Sequence, residues 1–263
     1  MAEDADDDEI VYSADGRRLR PVKSLMRAVD LLELMARSER PLGVTELAAA
    51  SGSSKTAAYN LVTTMEFRGL VRRDAQNRYH LGWGLFELGE LVRAGSDLSE
   101  AARPLVEDLA ETTGETALLG ILDHDSVIYL EKAESRRSIR MVEAPGQRLP
   151  LHATTSGRVL LAFADPADRA RYQHTAQVPD PEALDERLAR IVRDGYDASA
   201  QERDPDLTSV SVPVTGLRGS VIASLTVAGP VSRLTEQRVQ ECVPTLREHA
   251  ALIGKAVGAG TRW

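Results

Sequence analysis

Aromatic side chains are scarce, with three Phe, six Tyr and two Trp among 263 residues. A buried core must then be assembled from Leu, Val, Ile and Ala, and a hydrophobic content of 43 % is enough for one large domain or two small ones. A single cysteine, Cys242, excludes an intramolecular disulfide. No apolar run approaches the ~20 residues that cross a bilayer, and the N-terminus is acidic where a signal peptide is basic. The five histidines (His80, His124, His152, His174, His249) show no paired spacing, so no metal is expected. These absences predict a cytoplasmic protein with no metal, cofactor or membrane segment.

Catalytic signatures are missing as well. Ser156 and His152 invite a hydrolase reading, but Ser156 lies outside any G-x-S-x-G elbow. His152 reads as a structural hydrogen-bonding residue ahead of a helix. Neither a P-loop nor a dinucleotide fingerprint is present. Cys242 falls beside the apolar stripe of the last helix, where a cysteine acts as a small buried hydrophobe. No catalytic residue is assigned.

What is present is a run from Thr45 to Leu81 that reads as a short helix, a turn at Gly52, a longer helix and a small basic hairpin. Thr45 is placed as the cap of the first helix and Ser53 or Ser54 as that of the second, whose inward face is Ala58, Leu61, Val62 and Met65. Gly69 ends that helix. Leu70–Arg73 and Arg78–Leu81 read as strands around the turn Asp74–Asn77. This is the pattern of a winged helix-turn-helix. Ser54, Lys55, Thr56, Tyr59 and Asn60 fall on the exposed N-terminal side of the second helix, the end that enters a major groove, and Arg72, Arg73 and Arg78 fall on the wing. A solvated helix face in an ordinary three-helix domain has the same pattern, and charge separates the two. Residues 1–15 hold seven acidic side chains and no basic one, whereas residues 16–83 hold twelve basic and six acidic. The chain's net charge of −8 thus conceals one basic segment, and it coincides with the helix-turn-helix.

The rest of the chain divides around that segment. Residues 1–15 are too charged to bury anything and predict a mobile tail, and Arg17, Arg18 and Arg20 form a basic arm read as a solvated linker. Ser24 is expected to cap a helix with Leu25, Val29, Leu32 and Ala36 on its stripe. After the wing, Leu81–Gly95 places Leu85, Leu88 and Val92 on one helix face, with Phe86 and Leu91 beside it. Two readings are open for that helix, a connecting helix packed on a second subunit or a fourth helix of the same domain. Asp97 is placed as the cap of a helix over Leu98–Thr113, ended by Gly114. Strand-like segments follow at Thr116–Asp123, Val127–Ala133, Ser138–Val142, Leu207–Val214 and Ser220–Ala228. Helices are expected at Thr155–Ala164, Pro166–His174, Pro181–Asp194 and from Thr235 to Val257. Strands around helices without βαβ regularity predict an α+β domain with a mostly antiparallel sheet. The expected division is a tail and arm over 1–20, a winged helix-turn-helix over 21–83, a linker helix over 84–96 and a second domain over 97–263.

From about Pro21 onward the order of parts resembles the IclR family of bacterial transcriptional regulators. The residues that carry this are SLMRAVDLLELMA, the helix-turn-helix and RYHLGWGLFELG in the first half. In the second half they are GETALLGIL, LPLHATTSGRVLLAF, Gly195-Tyr196, Glu202, SVSVPV and SLTVAGP. The resemblance implies a GAF-like effector-binding domain behind the winged helix-turn-helix, and dimers, often paired into tetramers, on palindromic DNA operators. It departs from the family at Asn60, where Arg is usual, at Ser54 (often Pro), at Asp206 (often Gly) and at Ser209 (often Cys). Asn can still read adenine. A sensor acting only through protein partners would share the second half of this pattern, and the basic segment favours DNA.

In HATTSGRVLLAF, Thr154–Gly157 supply hydroxyls and helix N-terminal N–H groups, which suit a small carboxylate effector. The resemblance carries Thr155, Ser156, Ser199, Ser209, Thr226 and Ala228 over as pocket positions. Ile139 and Val142 are chosen here for the apolar wall. A well-capped helix would account for the same hydroxyls without a pocket.

Overall fold

The computed structural model describes residues 11–12, 18–19, 21–134, 145–202 and 204–258. The acidic stretch 1–10 and the strand expected at Ser138–Val142 lie outside the described residues. The chain divides into two compact units, Met1–Val92 and Arg93–Trp263. Val11–Tyr12 (β1) pairs antiparallel with Arg18–Leu19 (β2), where the sequence reading had only tail and linker. Strands of two residues have no period to read.

In the first unit, Lys23–Arg37 (α1), Val44–Ala50 (α2) and Lys55–Phe67 (α3) pack around Leu31, Met35, Leu47, Val62 and Met65. Leu42–Gly43 (β3), Val71–Arg73 (β4) and Arg78–Leu81 (β5) form a sheet in the order β3-β5-β4. The wing thus has a third, two-residue strand that no sequence pattern announces. Ser54 caps α3 by accepting the Ala57 N–H at 3.1 Å. Two other expected caps are corrected. α1 starts at Lys23, one residue ahead of Ser24, because the backbone turns at Val22, which is extended and whose carbonyl accepts the Leu25 and Met26 N–H groups. Thr45 lies inside the first turn of α2, where Gly43 holds the cap position and its N–H donates to Glu46 Oε2 at 2.7 Å. The stripe of α1 is also corrected. Leu31 and Met35 are buried, whereas Leu25 and Val29 are 64 % and 46 % exposed. This helix is apolar on two sides, and the core takes only one. Trp83–Ala94 (α4) runs across the division between the units.

The second unit opens with Asp97–Thr113 (α5), capped by Ser96 instead of Asp97, which is its first helical residue. Gly114 at φ +71° ends it. A six-stranded, wholly antiparallel sheet follows. Its strands are Thr116–Asp123 (β6), Ser126–Ala133 (β7), Arg148–Pro150 (β8), Asp197–Ala200 (β9), Leu207–Thr215 (β10) and Val221–Pro230 (β11). The spatial order is β8-β7-β6-β11-β10-β9. One face packs on α5 and on Glu236–Gly258 (α9) through Val210, Val212, Val214, Leu225 and Val227. The other carries Thr155–Ala162 (α6), Pro166–Thr175 (α7) and Pro181–Asp194 (α8). Cys242 is buried in the α9 face.

Gly157 sets how closely α6 can approach the turn before it. A Cβ there would lie 2.4 Å from the Leu151 carbonyl oxygen and 2.5 Å from its Cα, both backbone atoms that cannot swing away. Gly157→Ala should therefore destabilise the protein by ~1–3 kcal/mol, the range for overpacking a close contact. Urea unfolding measures this. An unchanged midpoint would mean that α6 does not sit so tightly.

Candidate nucleic-acid interface and ligand cavity

On α3, Lys55, Thr56, Tyr59 and Asn60 are exposed while Ala58, Val62 and Met65 face the core. Among the described residues the side chains of Lys55, Thr56 and Asn60 have no partner. Ser54 spends its hydroxyl on the cap. The wing arginines differ from one another. Arg72 lies with its guanidinium 5.9 Å from the Trp83 ring centroid, free of any acid among the described residues. Arg73 approaches Glu66 at 3.5 Å. Arg78 donates through Nε to the Pro41 carbonyl at 2.8 Å and through Nη2 to Glu46 at 2.9 Å, which ties the wing to the start of α2. Glu46 also accepts from Arg40 at 2.6 Å. That bond, the Gly43 N–H and the charges of Arg40 and Arg78 outweigh partial desolvation and pull the Glu46 carboxyl down to about 2.

The second unit holds a cavity between α6 and strands β6, β7, β9, β10 and β11. Its enclosed volume is about 30 Å³, room for about two water-sized groups, before it opens outward. Strand alternation builds its floor. Ser209, Ser211 and Thr226 face α6 while their neighbours Val210, Val212, Leu225 and Val227 face α9, and β10–β11 register sets Ser211 opposite Thr226. The hydroxyls join up. Thr155 Oγ1 lies 3.1 Å from Ser209 Oγ and accepts from Ser211 Oγ at 2.8 Å. Ser211 Oγ is 2.7 Å from Thr226 Oγ1, which is 2.6 Å from Ser156 Oγ, and Tyr129 OH donates to Ser156 at 3.3 Å.

Beside this floor lies an ion network. Arg158, 4 % exposed, donates through Nε to Asp197 at 2.7 Å and through Nη1 to the His152 carbonyl at 2.9 Å. Its Nη2 is 3.1 Å from Glu202 Oε2, within charge contact but off the line of a hydrogen bond. Arg187 joins Asp197 at 2.9 Å to Glu202 at 2.5 Å. Burial alone would raise the Glu202 carboxyl. The Arg187 hydrogen bond, the Arg158 charge, the Ser199 hydroxyl and the Arg187 charge together hold it below the usual range. His152 is held below its ordinary value by burial and then by Arg158, so its imidazole is neutral near pH 7. Tyr172 OH lies 2.7 Å from His152 Nδ1 and accepts the His152 backbone N–H at 3.1 Å. The contacts of Ser156 (Thr226, Tyr129) and of His152 (Tyr172) thus belong to separate groups.

Of the residues expected at a pocket, Thr155, Ser199, Ser209, Thr226 and Ala228 line this cavity. Ser156 is fully buried behind it, and Ile139 and Val142 lie outside the described residues. Leu118, Tyr129, Asp204 and Leu207 also line it and were not anticipated, and neither was Glu202 as a wall residue. For Tyr129 the signal was available, since Val127 and Tyr129 alternate onto one buried face of β7, before a register shift turns Glu131 towards α5. Among the described residues no cluster of three or more His, Cys, Asp or Glu could hold a metal, and no helix is long and apolar enough to cross a membrane.

The fold is therefore a winged helix-turn-helix unit joined to an α+β unit that encloses a polar cavity. The chain belongs to the IclR family: the family model for the bacterial transcriptional regulator IclR C-terminal region matches residues 92–255, and the IclR helix-turn-helix domain matches residues 24–75. It is similar to the HTH-type transcriptional regulator BhcR of Paracoccus denitrificans, at 36 % identity over 83 % of this chain and 81 % of that protein. It is similar also to KdgR of Escherichia coli, at 32 % identity over 90 % and 93 %. Among solved structures, an IclR homologue of Microbacterium hydrocarbonoxydans complexed with 4-hydroxybenzoate superposes with a TM-score of 0.76 at 28 % identity, covering 90 % of this chain and all of that one. The Thermotoga maritima IclR gives 0.71 at 27 %, covering 89 % and 98 %.

The Glu46 clamp makes a pH prediction. Its folded-state value lies below the ordinary 4.5, so what it contributes is complete above pH 4.5 and is lost as pH falls through about 2. An NMR titration should place the Glu46 carboxyl midpoint near 2 and return it towards 4.5 in Arg40→Ala. A midpoint at 4.5 in the parent protein would mean that the clamp does not form.

Proposed function

We propose that this protein is a cytoplasmic, homo-oligomeric transcriptional regulator that reads a palindromic operator with α3 and whose operator binding is modulated by a small carboxylate held in the cavity of its second, GAF-like domain. The observation that carries the reading is the unspent polar face of α3. Lys55, Thr56 and Asn60 offer side chains without partners among the described residues at the end of the helix that enters a major groove, in the same unit as the Arg72 cation. The family membership supports an operator as the target, and the complex of a relative with 4-hydroxybenzoate supports an acid as the guest. Exposed apolar residues support self-association through the first unit. They are Leu25, Met26 and Val29 on α1, and Trp83, Phe86, Leu88, Leu91 and Val92 on α4. A two-fold dimer would set two α3 helices about one DNA turn, or a multiple, apart.

The test is binding to DNA from the protein's own promoter region across a salt series. Asn60→Ala should lose operator preference at a cost of ~1–3 kcal/mol. Arg72→Ala should weaken all sequences alike and reduce the salt slope by about one. A small acid should shift operator affinity by a coupling of ~1–3 kcal/mol, and Ser209→Leu, which fills the cavity, should abolish the shift. A monomeric mass at micromolar concentration, or an Asn60→Ala protein that keeps full operator preference, would overturn the reading.

A further inference from the structure

The cavity lining holds two chemically opposite kinds of group, and the first follows from counting protons. Each hydroxyl has one to donate. Ser211 gives its proton to Thr155, so in the Ser211–Thr226 contact Thr226 must be the donor. Thr226 has then spent its proton, so Ser156 donates to Thr226, in agreement with Tyr129 donating to Ser156. The chain runs in one direction, from Tyr129 through Ser156, Thr226 and Ser211 to Thr155. At its end, Thr155 and Ser209 share one hydrogen bond between two remaining protons. Whichever of them donates in that bond, one O–H is left over at the cavity wall, and among the described residues it has no acceptor. Each link polarises the next, so this last O–H is a stronger donor than an isolated hydroxyl.

The same cavity also offers the reverse. Glu202 and Asp204 line it with carboxylates, which when ionised only accept hydrogen bonds. Glu202 is fixed by Arg187, and Asp204 Oδ1 accepts the Asp206 N–H at 2.9 Å, so both are positioned groups. Leu118, Leu207 and Ala228 supply apolar lining. A plain carboxylate would be welcomed by the free O–H and repelled by the two acids. A guest with a donor on the carbon chain next to its carboxylate satisfies both. Ser199, the β9 partner of Ser209, bonds Glu202 through its hydroxyl, so donor and acceptor groups lie within a short reach of each other, which favours a short chain over an aromatic ring.

Resting on the carboxylate reading above, we propose that the guest is a short aliphatic acid bearing a hydroxyl or ammonium donor, its carboxylate at Thr155 and Ser209 and its donor towards Glu202 and Asp204. In this arrangement Ser211 is a positioning residue that never touches the guest. It sets the direction of the hydroxyl chain.

Calorimetry on the full-length protein with lactate, alanine, propionate, lactamide and 4-hydroxybenzoate tests this. Lactate or alanine should bind about tenfold or more tightly than propionate, and lactate about tenfold more tightly than lactamide, the worth of one good hydrogen bond in each case. The comparison of lactate with alanine tells a hydroxyl from an ammonium. Asp204→Asn should collapse the lactate-to-propionate ratio and leave the lactate-to-lactamide ratio. Ser211→Ala should do the opposite, a pattern that general loosening of the site does not produce. Because Ser211 is fully buried, Ser211→Cys is the second variant, and it is expected to show the same weakening with the parental melting temperature. Propionate binding as tightly as lactate and alanine would overturn the inference. So would binding of 4-hydroxybenzoate alone, although the carboxylate reading would survive. If none of the five binds and no acid releases the operator, both fall together.

Discussion

The second unit is organised by one buried ion pair, Arg158 with Asp197, each with a side chain 5 % exposed. Arg158 comes from α6 and Asp197 from the first residue of β9, and the network extends to Arg187 on α8 and to Glu202 beyond β9. Two cations and two anions leave it neutral, which is the condition for burying such groups at all. Removing one partner strands a buried charge, a change that typically costs ~3–5 kcal/mol. The pair thus decides where α6 lies. With α6 placed, Thr155 and Ser156 meet the hydroxyls of β10 and β11, and the carbonyl of His152 is drawn to Arg158. The floor and one wall of the cavity are set by the same four charges.

The sheet solves a second problem, that of giving one layer two unlike faces. Hydroxyl and aliphatic residues alternate along SVSV in β10 and SLTV in β11. Because successive side chains point to opposite faces, this simple alternation produces an aliphatic face for α5 and α9 and a hydroxyl face for α6. A slip of one residue would exchange them. The register Ser211 with Thr226 is therefore fixed both by aliphatic burial and by hydroxyl pairing.

Much of this was legible before any coordinates. The period of α3, its Ser54 cap, the wing hairpin, the bounds of α8 and the hydroxyl rows of β10 and β11 all follow from local pattern. What escaped is short or long-range. β3, β8 and β9 have two to four residues, too few to show a period. Ser24, Thr45 and Asp97 looked like caps because their side chains suit the role, but a cap is fixed by where the backbone turns, and that lay one or two residues away. In α1 two apolar stripes competed, and only tertiary packing chose Leu31 and Met35 over Leu25 and Val29. Glu202 entered the pocket because Arg187, fifteen positions away, holds it there, a pairing that no local signal carries.

Charge marks out one segment of the chain. Residues 16–83 carry net +6 and residues 84–263 net −7, so an acidic protein still offers phosphate one region of favourable potential. On the proposed reading this restricts how DNA approaches, since most of the chain repels it and only the segment bearing α3 attracts it. Within that segment the cations are graded by what else they do. Arg78 is held by Glu46 and Pro41 and Arg73 leans on Glu66, which leaves Arg72, Lys55 and the polar face of α3 to meet a guest. On the same reading, phosphate attraction comes from the region as a whole, whereas sequence preference comes from Lys55, Thr56, Tyr59 and Asn60. Asn60 changes the balance between these terms. Where the family usually places a cation it keeps a neutral group, so contact there adds base-edge hydrogen bonding without adding salt-dependent affinity.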